Sequence, residues 1–345
     1  MLNRLPKTAL PLLALLVLTG LYWLYWSTLA DRLKTDVAAW AQAQAANGVT
    51  ITWSDMRARG WPLRLRLELD DLRYEASQAQ TPWAWSTPEF HAHALPYRLT
   101  HIIASAQSPM RFETLTGPDK QQWEIVAGST EASYVFEEGT AARLAIDIQM
   151  AKATRLDRPD ASTLVGANRF QVHARRAEDV AGAANIAVRA SGISLDKDLA
   201  PGLVDILGPT IAHVGIQSRV TANAGDAVFR DLALLRLRGS EIQVSQGTVT
   251  WGTSNATGTG KLDIAPDGTP DGRFDTTLSG YDTIIEGLVR QGLVEARLEG
   301  TLKAAMSLLS LTSGAQAGSV RVPVIVRAGD VYLGPVRVSG ATRTP

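Results

Sequence analysis

The stretch PLRLRLELD, residues 62–70, alternates apolar and polar side chains without interruption. Its apolar positions after the proline are Leu63, Leu65, Leu67 and Leu69. Successive side chains of an extended strand point to opposite faces. The pattern therefore predicts a strand with one buried face and one face in water.

The alternation changes phase directly after this stretch. Leu72 and Tyr74 carry the apolar side beyond Asp71, whereas odd-numbered residues carry it before that point. An extra residue in a strand moves all later side chains to the other face. A β-bulge near Asp71 is therefore predicted.

The same alternation recurs at several places along the remaining chain. It is found in residues 144–150, 170–174, 186–188, 193–195, 235–237, 242–244, 320–326 and 331–338. Predicted turns between such runs are Gly258–Gly260, Asp267-Gly268, Asp271-Gly272 and Gly329-Asp330. Many strands with short connections predict an antiparallel sheet, whose apolar face must be covered by curling, by a second sheet or by helices.

Two later segments have helical rather than strand periodicity. Leu199–Gly208 is short, whereas Thr283–Leu311 is long, with a capping box at Thr283 and Glu286 and a predicted division at Gly300. The predicted fold class is α+β and mainly β. It comprises an N-terminal transmembrane helix, a large curved antiparallel sheet, and a C-terminal helical segment packed on that sheet.

The N-terminal region predicts a membrane anchor. Ala9–Ala30 is a run of 22 residues without a charge. As a helix it would be about 33 Å long, enough to cross a hydrocarbon core of about 30 Å. Arg4 and Lys7 precede the run and no acidic residue precedes Asp31, so the N-terminus is predicted to be cytoplasmic. The aromatic residues predicted to lie at the far membrane interface are Tyr22, Trp23, Tyr25 and Trp26.

These patterns divide the chain into four parts. They are a cytoplasmic tail (1–8), a transmembrane anchor (9–30), a juxtamembrane helix (31–46) and a periplasmic β-rich region (47–345). A cleaved signal peptide and the buried helix of a soluble protein are the alternatives to an uncleaved anchor. The apolar region of a signal peptide usually has about 7–15 residues, which is shorter than this run. The periplasmic region is long enough for one large domain or two ordinary ones.

Composition excludes several classes of protein. The 345 residues contain 34 Lys+Arg, 34 Asp+Glu and no cysteine. The balanced charge offers no basic footprint for nucleic acid. The lack of cysteine excludes thiol nucleophiles, disulfides, cysteine-ligated zinc and iron–sulfur clusters.

Few residue patterns point to catalysis or to a metal. His91 and His93 share a strand face, but the sequence indicates no third ligand. The adjacent carboxylates Asp70-Asp71 and Glu137-Glu138 point to opposite faces of a strand, so neither pair makes an acid–base pair alone. We expect a protein that is not an enzyme and that binds no cofactor or metal.

Three motifs carry a resemblance to a known family. Their central residues are Trp53, Gly60, Trp61 and Pro62 in the first, Trp251 and Gly252 in the second, and Gly334 and Pro335 in the third. In this order and spacing, and with the N-terminal anchor, the chain resembles domain-of-unknown-function family 2125 of bacterial envelope proteins. The motif residues are interpreted as structural. Gly60 permits a tight turn, Pro62 begins a strand, and Trp61 packs beneath that strand.

The resemblance implies a membrane-anchored periplasmic protein and supplies no catalytic residue. A looser likeness is to large AsmA-type envelope proteins, which are linked to lipid movement. Two hypotheses follow. In the first, the apolar face of the sheet binds or transfers lipid or another hydrophobic ligand in envelope maintenance. In the second, the protein is a non-catalytic scaffold that recruits an envelope partner.

Overall fold

A computed structural model describes most of the chain. The described residues are 9–79, 82–115, 120–137, 140–158, 163–199, 201–221, 239–292, 294–312, 318–333 and 336–339. The chain divides into two compact units, Met1–Lys120 and Gln121–Pro345, and each is described by itself.

The first unit combines one long helix with a small antiparallel sheet. Its elements are α1 (Ala9–Gln44), β1 (Val49–Thr52), β2 (Asp55–Arg59), β3 (Leu65–Ala76), β4 (Trp83–Leu95), β5 (Arg98–Ala106) and β6 (Met110–Thr114). The strands β1 and β2 both pair with β3, and β3 pairs with β4. The strands β5 and β6 both pair with β4. The central strands β3 and β4 therefore hold the unit together.

The helix α1 covers the predicted anchor and most of the predicted juxtamembrane helix without a break. A turn of 3₁₀ helix, Ala45–Asn47, follows it. Gly48 then adopts φ 72° and donates its N–H to the Ala45 carbonyl, which stops the helix as the sequence predicted. Near the end of this helix, Ala41 is buried, whereas Trp40 is exposed.

The apolar face of β3 packs against α1. Leu65 lies in a buried cluster with Trp26 and Ala30. Leu67 and Leu69 lie in a second cluster, against which Leu33 and Val37 of α1 pack. The alternation therefore buries Leu65, Leu67 and Leu69 under the helix, whereas Leu63 precedes β3 and is exposed.

The phase change at Asp71 is present, but its cause differs from the predicted bulge. Leu69 and Leu72 lie in the same apolar cluster, so the strand does change its buried parity between them. The register against β4 stays constant, however, since Asp70 faces Glu89 and Leu72 faces Thr87. Instead, Asp71 adopts φ 51°, and its carboxylate accepts a hydrogen bond of 2.8 Å from the Ser54 hydroxyl. A left-handed residue thus turns the strand over without an inserted residue.

The described part of the second unit is a long antiparallel meander with three α-helices. Its first strands are β7 (Gln122–Val126), β8 (Ser129–Glu137), β9 (Thr140–Arg155), β10 (Thr163–Arg176), β11 (Ala184–Leu195) and β12 (Thr210–Thr221). The later strands are β13 (Ser240–Trp251), β14 (Ser254–Ile264), β15 (Pro270–Ser279), β16 (Ser319–Arg327), β17 (Asp330–Leu333) and β18 (Val336–Ser339). Both β7 and β8 pair with β9, and from β9 to β18 each strand pairs with the next.

The α-helices among the described residues of this unit are α2 (Pro201–Leu207), α3 (Tyr281–Arg290) and α4 (Glu299–Thr312). The predicted packing of the C-terminal helical segment on the sheet is confirmed. Tyr281 and Ile285 of α3 form a buried cluster with Val320 of β16, and Met306 of α4 packs against it.

Two details of the predicted helical segment are wrong. The helix α3 begins after Gly280, which adopts φ 71°, so Thr283 lies inside the helix. The Thr283 hydroxyl is 2.8 Å from that of Thr253 instead of capping the helix. The segment divides near Gly292, which adopts φ 72°, whereas Gly300 lies within α4. The backbone turn at Gly280 therefore sets the start of α3 in place of the predicted capping box. The turn at Gly292 sets the division of the segment in place of Gly300.

Two predicted turns are also wrong. Gly258–Gly260 lies inside β14, and Asp271-Gly272 lies inside β15. The turn between these strands is centred on Asp267-Gly268, as predicted. The Gly268 N–H closes it by donating to the Ala265 carbonyl. The predicted strand at 235–237 lies outside the described residues.

We expect Leu65→Ala to destabilise the first unit by about 2–5 kcal/mol, because it leaves a cavity beneath α1. Leu65 is 2% exposed, whereas Leu63, two residues earlier, is 71% exposed. The matched control Leu63→Ala should change stability by less than about 0.5 kcal/mol. Urea unfolding of the full chain in detergent, followed by tryptophan fluorescence, measures both. Equal effects would contradict the packing of Leu65 beneath the helix.

Candidate functional site

A continuous row of apolar residues crosses eight strands of the second unit. Each member faces the next directly across a strand pair, so all of them lie on one face of the sheet. The row consists of Ile148, Phe170, Ala190, Val214, Val249, Ala256, Leu278 and Val320. No polar residue interrupts the row from β9 to β16.

A second row extends the same face. It runs through Ile146, Val172, Val188, Ile216, Gly247, Gly258, Thr276 and Val322. Among the described residues, the helices α3 and α4 pack at one end of the face, on Leu278, Val320 and Val322. Near the middle, Ile216 is 37% exposed. Within the described part of the chain, the face is therefore partly open.

The strands β14 and β15 approach each other closely on this face, at Gly260 and Gly272. A Cβ atom at Gly260 would lie 2.4 Å from the Arg273 carbonyl oxygen and 2.4 Å from Phe274 Cδ1. A Cβ at Gly272 would lie 2.4 Å from the Lys261 carbonyl oxygen. Distances this short require neighbouring backbone to curl toward the side on which Cβ would project. Only glycine permits so close an approach.

The opposite face carries paired charges. On β9 and β10, the Asp147 carboxylate accepts hydrogen bonds from the Arg169 guanidinium, one of them from Nε at 3.0 Å. This pairing lowers the pKa of the Asp147 carboxyl, although partial desolvation opposes the shift. On β14, Lys261 pairs with Glu241 at 2.9 Å and with Asp263 at 3.3 Å. The sheet is therefore apolar on one face and ionic on the other.

The first motif lies where the chain enters β3. Trp53 packs against the apolar cluster of that strand. Gly60 adopts φ 102°, and its carbonyl accepts the Arg64 N–H at 2.9 Å, which closes a tight turn. Trp61 is 45% exposed, so the expected packing beneath the strand is wrong. Pro62 precedes β3 rather than beginning it, because the turn occupies residues 60–64.

The second motif joins a helix to a hairpin. The Trp251 indole donates a hydrogen bond of 2.7 Å to the Gly208 carbonyl, directly after α2. Gly252 adopts φ 57°, and a Cβ there would lie 2.5 Å from the Leu207 carbonyl oxygen. Both residues thus hold the end of α2 against the turn between β13 and β14. Gly334 and Pro335 of the third motif lie outside the described residues.

Three aromatic residues of α1 contact the loops of the first unit. The hydroxyl of Tyr22 donates to the Pro62 carbonyl at 2.6 Å, and the indole of Trp26 donates to the Arg64 carbonyl at 3.0 Å. Tyr25 donates to the Pro96 carbonyl at 3.2 Å. Of the other residues predicted to lie at the membrane interface, Trp23 is 56% exposed. Arg4 and Lys7 lie outside the described residues.

A buried carboxylate was not predicted from the sequence. Glu68 is 7% exposed although it lies on the face of β3 that points away from α1. Three arginines surround it, with Arg59 Nε at 3.0 Å, Arg57 Nε at 3.5 Å and Arg66 also in contact. The sequence signal for this buried carboxylate was the presence of Arg57 and Arg59 at alternate positions of β2. It could be interpreted only once the pairing of β2 with β3 was known.

The predicted histidine pair lies beside this ionic cluster. His91 and His93 face Glu68 and Arg66 across the pairing of β3 with β4. Within the described ranges, no group of three or more His, Asp or Glu side chains is arranged to hold a metal ion.

Comparison with known proteins identifies the family. The family described as an uncharacterised protein conserved in bacteria (DUF2125) matches residues 26–341, and the chain belongs to it. No curated protein and no solved structure matches the chain, so the likeness to AsmA-type proteins stays a prediction.

Among the described residues, one helical stretch is long and apolar enough to cross a membrane. It is Pro11–Asn47, which comprises most of α1 and the 3₁₀ turn after it. Only 6% of its most apolar 18-residue segment is buried within the protein, unlike the core helix of a soluble domain. A signal sequence near the N-terminus would pass the same test of length and composition.

We expect Gly260→Ala to destabilise the second unit by about 1–3 kcal/mol, because the added methyl overpacks the bend. The control Gly300→Ala has no atom within 4 Å of its new Cβ. It should stabilise α4 by up to about 1 kcal/mol. Urea unfolding of the full chain compares them. A neutral Gly260→Ala would mean that the sheet is not bent there.

We expect Arg169→Met to raise the pKa of the Asp147 carboxyl toward its ordinary value, because its main hydrogen-bond donor is lost. A lowered native pKa stabilises the fold above the ordinary pKa, and this contribution disappears as the pH falls through the lowered value. The variant should therefore lose less stability on acidification. Carboxylate NMR titration measures the change, with Arg175→Met on the same strand face as the control. Identical titrations of Asp147 in both variants would contradict the pairing.

Proposed function

We propose that the protein is a single-pass membrane protein of the bacterial envelope, with a cytoplasmic N-terminus and an exported bulk. The uncharged run Ala9–Ala30 and the basic residues Arg4 and Lys7 support this topology. The exposure of the most apolar segment of α1 also supports it, since a helix of this composition is stable in an apolar surrounding. The bacterial distribution of the family agrees with it.

We further propose that the partly open apolar face of the second unit binds lipid or another hydrophobic ligand in envelope maintenance. The observation that carries this proposal is the uninterrupted row from Ile148 to Val320. Eight strands at a spacing of about 4.8 Å make the face about 34 Å wide. Two layers of acyl chains occupy about 30 Å in a bilayer, so a single acyl chain needs about half that length and fits along the row.

The proposed role is binding without catalysis. Titratable groups that catalyse reactions converge on a pocket with shifted pKa values. Asp147 and Lys261 instead pair with opposite charges on the face away from the proposed ligand. This arrangement supports a solvated outer face.

A scaffold that recruits an envelope partner is the second candidate. The observation that favours it is a set of exposed leucines at the C-terminal helices, namely Leu298, Leu302, Leu308 and Leu309. An amphipathic helix with exposed leucines can fill a groove of another protein.

Photocrosslinking in cells tests both proposals on the full chain. The photoreactive residue p-benzoylphenylalanine replaces Ile216 on the apolar face, or Gln217, which points to the opposite face of the same strand. A third variant carries it at Leu302 of α4. If the face binds lipid, mass spectrometry should find lipid adducts at position 216 and several-fold fewer at position 217.

The outcomes separate the candidates. Equal lipid labelling at positions 216 and 217 would contradict a ligand site on the apolar face. A single protein crosslinked in high yield at position 302, with no lipid at position 216, would favour the scaffold.

A further inference from the structure

Two loops of the first unit expose large apolar side chains. One loop, Trp61–Arg64, precedes β3, and the other, Leu95–Leu99, includes the turn between β4 and β5. The exposed residues are Trp61, Leu63, Leu95, Tyr97 and Leu99, of which Leu63 is 71% and Tyr97 78% exposed. We call these two loops the collar. Isolated exposed leucines are ordinary, but five apolar residues concentrated in two loops indicate a contact surface.

Hydrogen bonds fasten both loops of the collar to the helix α1. The Tyr22 hydroxyl reaches the Pro62 carbonyl at 2.6 Å, and the Trp26 indole reaches the Arg64 carbonyl at 3.0 Å. The Tyr25 hydroxyl reaches the Pro96 carbonyl at 3.2 Å. The collar therefore lies beside the turn of α1 that contains Tyr22, Tyr25 and Trp26, and this fixes its position along the helix axis.

That turn lies inside the predicted membrane span. Tyr22 precedes Ala30, the end of the uncharged run, by eight residues. This corresponds to about 12 Å along a helix. The interfacial layer on each side of a bilayer is only about 5–8 Å thick. If α1 crosses the membrane with residues 9–30, the collar cannot remain in water.

The charges of the collar suit a lipid interface. Residues 61–64 and 95–99 contain no acidic side chain, whereas Arg64 and Arg98 are both exposed. Arginines beside apolar and aromatic residues reach lipid phosphates while their neighbours enter the acyl region.

We propose that the collar inserts into the membrane leaflet at the C-terminal end of the predicted span 9–30, giving the first unit a second lipid contact. The proposal rests on the membrane insertion of α1 proposed above. A helix axis together with a second contact beside it prevents rotation about that axis, so the sheet of the first unit would be held at a fixed orientation to the membrane. A helix alone would leave it free to rotate.

Site-specific labelling tests the proposal, since the chain has no native cysteine. The variants Leu63→Cys and Tyr97→Cys place an environment-sensitive fluorophore in each loop of the collar, and each leaves the other loop intact. Val17→Cys reports on the membrane span. Gln78→Cys, beyond the far end of β3, is the matched control, because eleven residues of strand span about 36 Å.

The full-length protein is reconstituted in vesicles of phosphatidylethanolamine and phosphatidylglycerol, with and without brominated acyl chains. We expect several-fold stronger quenching at positions 63 and 97 than at position 78, together with quenching at position 17. Quenching at position 17 but no more at 63 and 97 than at 78 would overturn the collar proposal alone. Absence of quenching at position 17 would instead overturn the membrane insertion of α1.

Discussion

A strand that is apolar on one side must cover that side, and this requirement shapes both units. In the first unit the leucines of β3 are covered by α1, with Leu33 and Val37 packed on Leu67 and Leu69. In the second unit, among the described residues, α3 and α4 pack on the β15–β16 end of a wider face. The same constraint therefore produces a closed core in one unit and a partly open surface in the other.

The helix α1 has two roles that follow from the distribution of its side chains. Its N-terminal half is uncharged and exposed, which suits an apolar surrounding. Its C-terminal half packs on the sheet, and the residues between the two halves hydrogen-bond to loop carbonyls through Tyr22, Tyr25 and Trp26. Because the helix is continuous between them, its apolar half and the sheet of the first unit are rigidly connected.

The departures from simple strand and helix patterns share one physical origin, which is backbone geometry at single residues. Asp71 in the left-handed region turns β3 over without an inserted residue. Gly280 sets the start of α3 and overrides the capping signal of Thr283. Gly260 lets two strands approach more closely than a side chain would permit. Each effect depends on neighbouring strands, so local propensity could not reveal it.

The sequence alone determined the fold class, the membrane-spanning candidate, the family resemblance and the apolar side of several strands, because these depend on periodicity, composition and short motifs along the chain. Tertiary structure decided which residues meet. It joined eight strands into one apolar row, left Ile216 accessible, buried Glu68 among arginines and exposed Trp61. Such features arise from strand register and from what covers each face, and neither is encoded within a single segment.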